Sequence, residues 1–231
     1  MEIKIFADEQ TAAQQSASFI AAEARMAIAT RNRFLLALSG GRTPWLMLRS
    51  LAREDVSWQL VHLFQVDERD APAGHPDRNL THIRESQLDR VPIPANQAHA
   101  IPIEAGNLET AAMSYAKTLQ QVAGSPPVLD LVHLGLGPDG HTASLVPGDR
   151  VLDVGDADVG VTGAYQKRRR ITLTYPILNR ARRILWVVTG SEKAGMLARL
   201  RDADRAIPAG RVRQASAVVL ADAAAAEGLN T

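Results

Sequence analysis

Five short apolar runs, each separated from the next by enough chain to form a helix, constrain this sequence more than any other feature. They cover residues 34–38, 60–66, 129–134, 184–188 and 217–220. Each has the length of a strand and shows no clear polar face, so each expects cover on both sides. Between them, residues 43–53, 108–122 and 191–201 carry apolar side chains at helical spacing, and the alanine-rich stretch 11–28 reads as an opening helix. Strands alternating with helices predict an α/β fold with a mostly parallel sheet covered on both faces. No linker, internal repeat or low-complexity segment interrupts the 231 residues, so a single domain over residues 1–231 is expected. The proline-bearing stretches 70–76 and 91–94 read as loops inside it.

Composition removes several function classes. The chain has no cysteine, which excludes a disulfide framework, thiolate chemistry and cysteine-bound zinc. A formal charge of +1 leaves no global field for nucleic acid, so no nucleic-acid partner is expected and an anionic ligand must be held by a local cluster. The dense basic run Lys167-Arg168-Arg169-Arg170 stands before the apolar residues 171–173 and reads as the solvated start of a strand. The opening MEIKIFADEQ contains acids and no apolar signal segment, and no apolar run is long enough to cross a bilayer. A cytoplasmic protein without a membrane partner is expected. His62, His75, His82, His99 and His133 are scattered rather than spaced as ligands, so no metal site is predicted and they read as structural or surface residues.

In open α/β sheets, ligands bind beyond the carboxyl ends of the strands, which makes the strand exits informative. The first exit is Ser39-Gly40-Gly41-Arg42-Thr43-Pro44. Its glycines permit a tight turn and close approach to a ligand, with Thr43 expected as helix N-cap and Pro44 as the first helical residue. That arrangement aims free N–H groups and a positive dipole end at the ligand edge. The second exit, Asp67-Glu68-Arg69-Asp70, offers a forked donor for a phosphate in Arg69. Asp67 and Glu68 are placed to accept from sugar hydroxyls or to hold Arg69. The third runs Gly135-Leu136-Gly137-Pro138-Asp139-Gly140-His141. It spells a dinucleotide fingerprint, but it lies past the midpoint and lacks a clear second strand ending in an acid, so nucleotide binding is not expected. Its more informative feature is Asp139 beside His141, a histidine that can take a proton from water near neutral pH.

These strings together resemble the 6-phosphogluconolactonases, within the larger group that includes glucosamine-6-phosphate deaminases and isomerases. The resemblance rests on Ser39-Gly40-Gly41-x-Thr43-Pro44, on Asp67-Glu68-Arg69, and above all on the segment from Gly135 through His141-Thr142-Ala143-Ser144 to Pro147-Gly148. It continues in Arg170-Ile171-Thr172-Leu173-Thr174-x-Pro176 and Gly190-x-x-Lys193-Ala194. The resemblance implies a three-layer α/β/α, Rossmann-like fold and hydrolysis of 6-phosphoglucono-1,5-lactone in the oxidative pentose phosphate pathway, with no metal or organic cofactor. Carried onto matching positions, it makes His141 the general base and Asp139 its neighbour. Arg69 and Lys193 would bind the phosphate, while Ser39, Gly40, Gly41, Thr43, Asp67, Asn79 and Gly137 would line the substrate pocket. Two departures stand out: Arg78-Asn79 replaces a usual Ser-Asn pair, and Val146 replaces an aromatic residue. Arg78 either adds a phosphate contact or points outward.

A δ-lactone is an activated ester, so direct attack of water suffices and no covalent intermediate is needed. The isomerase or deaminase alternative usually places an Asn-Glu-Pro segment after the histidine, and its carboxylate is missing from Thr142-Ala143-Ser144. A non-catalytic sugar-phosphate sensor would bring a DNA-binding module, and no such stretch is present. The partner is therefore a small phosphorylated sugar lactone. The sequence leaves the oligomeric state open and marks residues 149–166, rich in glycine and aspartate, as a candidate mobile lid.

Overall fold

Alternate residues of Phe34–Leu38 enter different cores: Leu35 and Ala37 join one, and Phe34, Leu36 and Leu38 the other. That two-sided burial is what a central parallel strand requires, and it fixes the layers on either side. The computed structural model describes residues 1–229. In chain order its strands are β1 (Glu2–Phe6), β2 (Phe34–Leu38), β3 (Val61–Gln65), β4 (Asp67–Arg69), β5 (Ala98–His99), β6 (Leu131–Leu134), β7 (Val159–Val161), β8 (Arg170–Leu173), β9 (Arg183–Val188) and β10 (Ala217–Asp222). The helices are α1 (Glu9–Arg31), α2 (Arg42–Leu51), α3 (Asn79–Ile83), α4 (Leu108–Ala123), α5 (Tyr175–Arg180), α6 (Ala194–Arg201) and α7 (Ala223–Ala226).

Seven strands form a parallel sheet in the order β1-β10-β9-β6-β2-β3-β5. On one face, α1 and α2 pack through Ala13, Ala17, Ile20, Met47 and Leu48. The alanines of α1 hold it close to the sheet. On the other face, α4, α5 and α6 contribute Tyr115, Leu119, Ile177, Leu178, Leu197 and Leu200. The predicted α/β class and three-layer arrangement hold.

The strand order reverses between β2 and β6. From β2 the sheet grows toward β3 and β5; from β6 it grows the other way, toward β9 and β10. The two glycine-rich exits read from the sequence therefore flank the topological switch point, where the crevice of such a sheet opens.

The structure adds a second, antiparallel sheet, β4-β8-β7. Val66 joins the two sheets: its N–H donates to Leu38 O of the main sheet (2.9 Å), while its carbonyl accepts from Leu173 N of β8 (2.8 Å). The charged exit Asp67-Glu68-Arg69 is thus itself a strand. Part of residues 149–166 joins this sheet as β7. Asp149 accepts from Val151 N and Gly163 N, and β7 pairs with β8. Among the described residues, no helix is long and apolar enough to cross a membrane.

Candidate active site

At the switch point a cavity with about 200 Å³ of free space is lined by residues from all three exits. Ser39, Gly40 and Gly41 come from the exit of β2, Asp67 and Arg69 from β4, and Gly137 and His141 from the exit of β6. Asn79, Lys193 and Arg170 complete the charged and polar lining. Nine of the residues expected at the site converge here. Asp139 stands behind His141, and Thr43 alone lies elsewhere.

The loop after β6 is shaped by its glycines. Gly137 N donates to His141 O (2.8 Å), folding the loop back on itself. A Cβ on Gly137 would lie 2.1 Å from His141 Nδ1 and 2.7 Å from Asp139 Oδ1, so only glycine leaves room for the pair. Gly140 has φ of 81°, a left-handed conformation that favours glycine. No helix starts after this loop, which removes the dinucleotide geometry its spelling suggested.

His141 Nδ1 is 2.5 Å from Asp139 Oδ1, and that oxygen also accepts from the His141 backbone N–H at 3.1 Å. Partial burial opposes the charge on Asp139, but the hydrogen bonds from His141 and its nearby ring outweigh it and hold the carboxyl below its ordinary value. An ionised carboxylate only accepts, so the proton belongs on Nδ1 and the lone pair of Nε2 is left free.

The same cavity also carries a group of positive charges. Arg69 and Arg170 are register partners in the small sheet and line the same cavity. Like charges directly opposite in a sheet repel, so this pairing favours an anion between or beside them. Burial disfavours the charged form of Arg170, and the carboxylate of Asp67 counteracts that while Arg69 adds to it. Arg170 is 3% exposed, and its Nε has no partner among the described residues. The basic run 167–170 is therefore not a uniformly solvated strand start: Arg168 and Arg169 pair with Asp77 and Glu109, and Arg170 turns inward. Its place opposite Arg69 depends on a strand pairing that the sequence does not display.

A buried acid holds this group. Glu68 is fully enclosed and accepts from the backbone N–H groups of Arg69, Asn79 and Leu80 and from Gln65 Nε2, all at 2.8–2.9 Å. It orders the chain that bears Arg69 and is closed to sugar hydroxyls. Arg69 Nη1 donates in turn to Asn79 Oδ1 (2.9 Å) and Asp77 O (3.0 Å). Asp67 accepts from Ser144 Oγ (2.6 Å) and Asn79 Nδ2 (3.2 Å). Arg78 neither reaches the cavity nor points outward: it is buried, 3.4 Å from Glu68 and 2.6 Å from Glu104.

Around β2, Gly41 takes the N-cap of α2 at φ 132°, and the helix starts at Arg42. Thr43 is consequently inside the first turn rather than at the cap. Its hydroxyl bonds Glu9 (2.7 Å) and Thr189 (2.6 Å), and it lines a neighbouring cleft instead of the main cavity. Among the described residues no side chain caps α2, so the N–H groups of Arg42 and Thr43 in its first turn remain open beside the cavity. Ser39 Oγ is buried without a partner among the described residues. Beneath it His133, read as structural, accepts from Ser39 N (3.4 Å) and is kept neutral by burial, its pKa pushed down to about 3. A Cβ on Gly40 would strike Asn79 Oδ1 at 1.9 Å, so this glycine lets the two walls meet. Among the described residues, no group of three or more His, Asp or Glu side chains is placed to hold a metal.

Residues 7–220 match the family model described as glucosamine-6-phosphate isomerases/6-phosphogluconolactonase. The 6-phosphogluconolactonase of a Nostoc species is 37% identical over 202 residues, spanning 86% of this chain and 84% of that one. The rat 6-phosphogluconolactonase is 36% identical over 222 residues, 91% of this chain and 86% of its own. The solved structure of the Trypanosoma brucei 6-phosphogluconolactonase superposes with a TM-score of 0.88 at 26% identity, covering 99% and 98% of the two chains. The chain belongs to the glucosamine-6-phosphate isomerase/6-phosphogluconolactonase family.

Proposed function

We propose that this protein hydrolyses 6-phospho-D-glucono-1,5-lactone to 6-phospho-D-gluconate, with His141 as the base. The observation that carries this reading is the cavity's division: a histidine with a free Nε2 on one wall, and Arg69 beside Arg170 on the other. The first suits attack of water on a carbonyl, and the second suits a phosphate that takes no part in bond breaking. The relatives named 6-phosphogluconolactonase support the same substrate.

In the proposed step, water attacks the lactone carbonyl while His141 Nε2 takes its proton, and Asp139 steadies the imidazolium that forms. The tetrahedral intermediate then expels the ring oxygen, and the imidazolium returns the proton to it. The product is the open-chain acid, which loses the remaining proton of the attacking water to solvent and leaves as the carboxylate. General-base assistance of this kind contributes about 10²–10⁴-fold. Ser39 Oγ and the open N–H groups at the start of α2 are the donors available to ligand oxygens. Arg69, Arg170 and Lys193 hold the phosphate and so orient the carbonyl, turning remote binding into rate. The deaminase alternative is disfavoured because Asp67, the one carboxylate lining the cavity among the described residues, already accepts from Ser144 and Asn79.

The test is turnover of freshly generated 6-phosphogluconolactone, with spontaneous hydrolysis subtracted, beside unphosphorylated gluconolactone. Fast turnover confined to the phosphorylated substrate is expected. Equal rates on both would remove the phosphate clamp, and no turnover on either would remove the lactonase reading.

A further inference from the structure

A hairpin that the mechanism above does not use reaches the base from the far side. Tyr165 and Arg168 close it through paired backbone hydrogen bonds (3.0 and 3.2 Å). The two residues at its tip, Gln166 (φ 51°) and Lys167 (φ 68°), both sit in the left-handed region. Such a turn normally takes Asn-Gly, and long side chains there are disfavoured. A conformation of that kind persists only where its surroundings hold it, and it clusters at functional sites. Here Arg168 anchors one leg through Asp77 Oδ2 (2.6 Å) and Asp70 O (3.0 Å), while Arg170 Nη2 donates to Gln166 Oε1 (3.2 Å).

The turn delivers Tyr165 to the site. Its hydroxyl donates to Asp139 Oδ2 (3.2 Å), the oxygen that His141 does not use. Its ring meets the His141 imidazole edge-on at 5.6 Å, and the Arg170 guanidinium lies 4.9 Å over the ring centre. One side chain therefore touches the acid behind the base, the base itself, and an arginine of the cavity's positive group.

We propose that Tyr165 is a positioning residue for the hydrolysis, whose hydroxyl locks the Asp139 carboxylate against His141 and whose ring forms the shelf that keeps Arg170 in the cavity. The proposal rests on the functional reading above. A carboxylate with both oxygens engaged cannot swing, so Oδ1 stays on Nδ1 and Nε2 stays aimed at the substrate. The ring contributes separately, because the cation over its face is held whether or not the hydroxyl is present.

The two contributions come apart in two variants. Tyr165→Phe removes only the hydroxyl: kcat is expected to fall about tenfold with KM unchanged. Without that donor the charge of Asp139 is less offset and holds the imidazolium more strongly, so the acid limb of kcat/KM should move to higher pH. The other charged groups around the base, Asp67, Arg69, Arg170 and Lys193, are the same in both proteins. Tyr165→Ala should show the same kcat loss and pH shift and, in addition, a raised KM as Arg170 loses its shelf. Lys167→Gly, which suits the left-handed turn, should keep wild-type kinetics. Tyr165 is half-buried on a surface hairpin, so melting temperatures of all three should stay near wild type. Wild-type kcat and an unmoved acid limb in Tyr165→Phe would overturn the hydroxyl's role. Equal KM in the Phe and Ala variants would overturn the shelf. A wild-type protein inactive on the lactone would overturn the functional reading and the role of Tyr165 with it.

Discussion

The two walls of the cavity are held in opposite ways. The wall that carries His141 is a loop whose shape is set by backbone freedom: Gly137 and Gly140 let it fold tightly, and Asp139 fixes the ring at 2.5 Å. The wall that carries Arg69 and Arg170 is a piece of sheet, set by strand register and by the enclosed carboxylate of Glu68. The contrast teaches where each wall is vulnerable. Added volume should disturb the first, and removed charge the second.

The largest effect should come from Glu68→Ala. It would strip the N–H groups of Arg69, Asn79 and Leu80 of their acceptor and leave Arg78 beside a cavity. A loss of about 3–5 kcal/mol in denaturant unfolding is expected, as for breaking a buried ion pair. A loss under 1 kcal/mol would mean that this wall is not organised by Glu68. Next comes Gly137→Ala, which drives a methyl into His141 and Asp139. Here kcat should fall on the order of 10²-fold with a small change in KM, because the base is displaced while the phosphate wall is untouched. A change confined to KM would break the division between the walls. Arg69→Ala should do the reverse, raising KM roughly tenfold to a hundredfold with kcat less affected.

The smallest effect concerns His133, which sits behind Ser39. His133 is neutral in the folded protein because burial lowers its pKa to about 3, whereas the unfolded chain titrates near 6.5. The unfolded state therefore binds the extra proton first. Stability from this group is complete above pH 6.5 and declines as pH falls toward 3. Between pH 7 and 5.5 the decline should be about 1 kcal/mol, and His133→Gln should flatten it. An equal pH slope in the two proteins would assign acid sensitivity to other groups.

Much of the first wall was legible in the sequence, and less of the second. The run 34–38 is a strand with those very bounds, because a strand buried on both faces is written as uninterrupted apolar residues. The glycines and Asp139-Gly140-His141 announce a loop that carries chemistry. The start of β8 reads as a strand, but its pairing into a small sheet does not, because the strands are three or four residues long and β4 spells Asp-Glu-Arg. Its charges are inside for reasons no local pattern expresses: Glu68 serves backbone donors eleven and twelve residues further on, and Arg170 faces Arg69 from across the chain. β1 (Glu2–Phe6) lies at the edge of the main sheet with most of its residues exposed, so its charges interrupt the apolar run that marks the buried strands. Tyr165 carried no signal at all, since its role follows from a turn that its sequence disfavours.

The most direct test of the account is a comparison of kcat and KM for wild type and His141→Ala on freshly generated 6-phosphogluconolactone, corrected for spontaneous hydrolysis. The account predicts a kcat lower by about 10²–10⁴-fold with KM nearly unchanged, because the phosphate wall survives the substitution. A kcat close to wild type would contradict it and place the base elsewhere in the cavity.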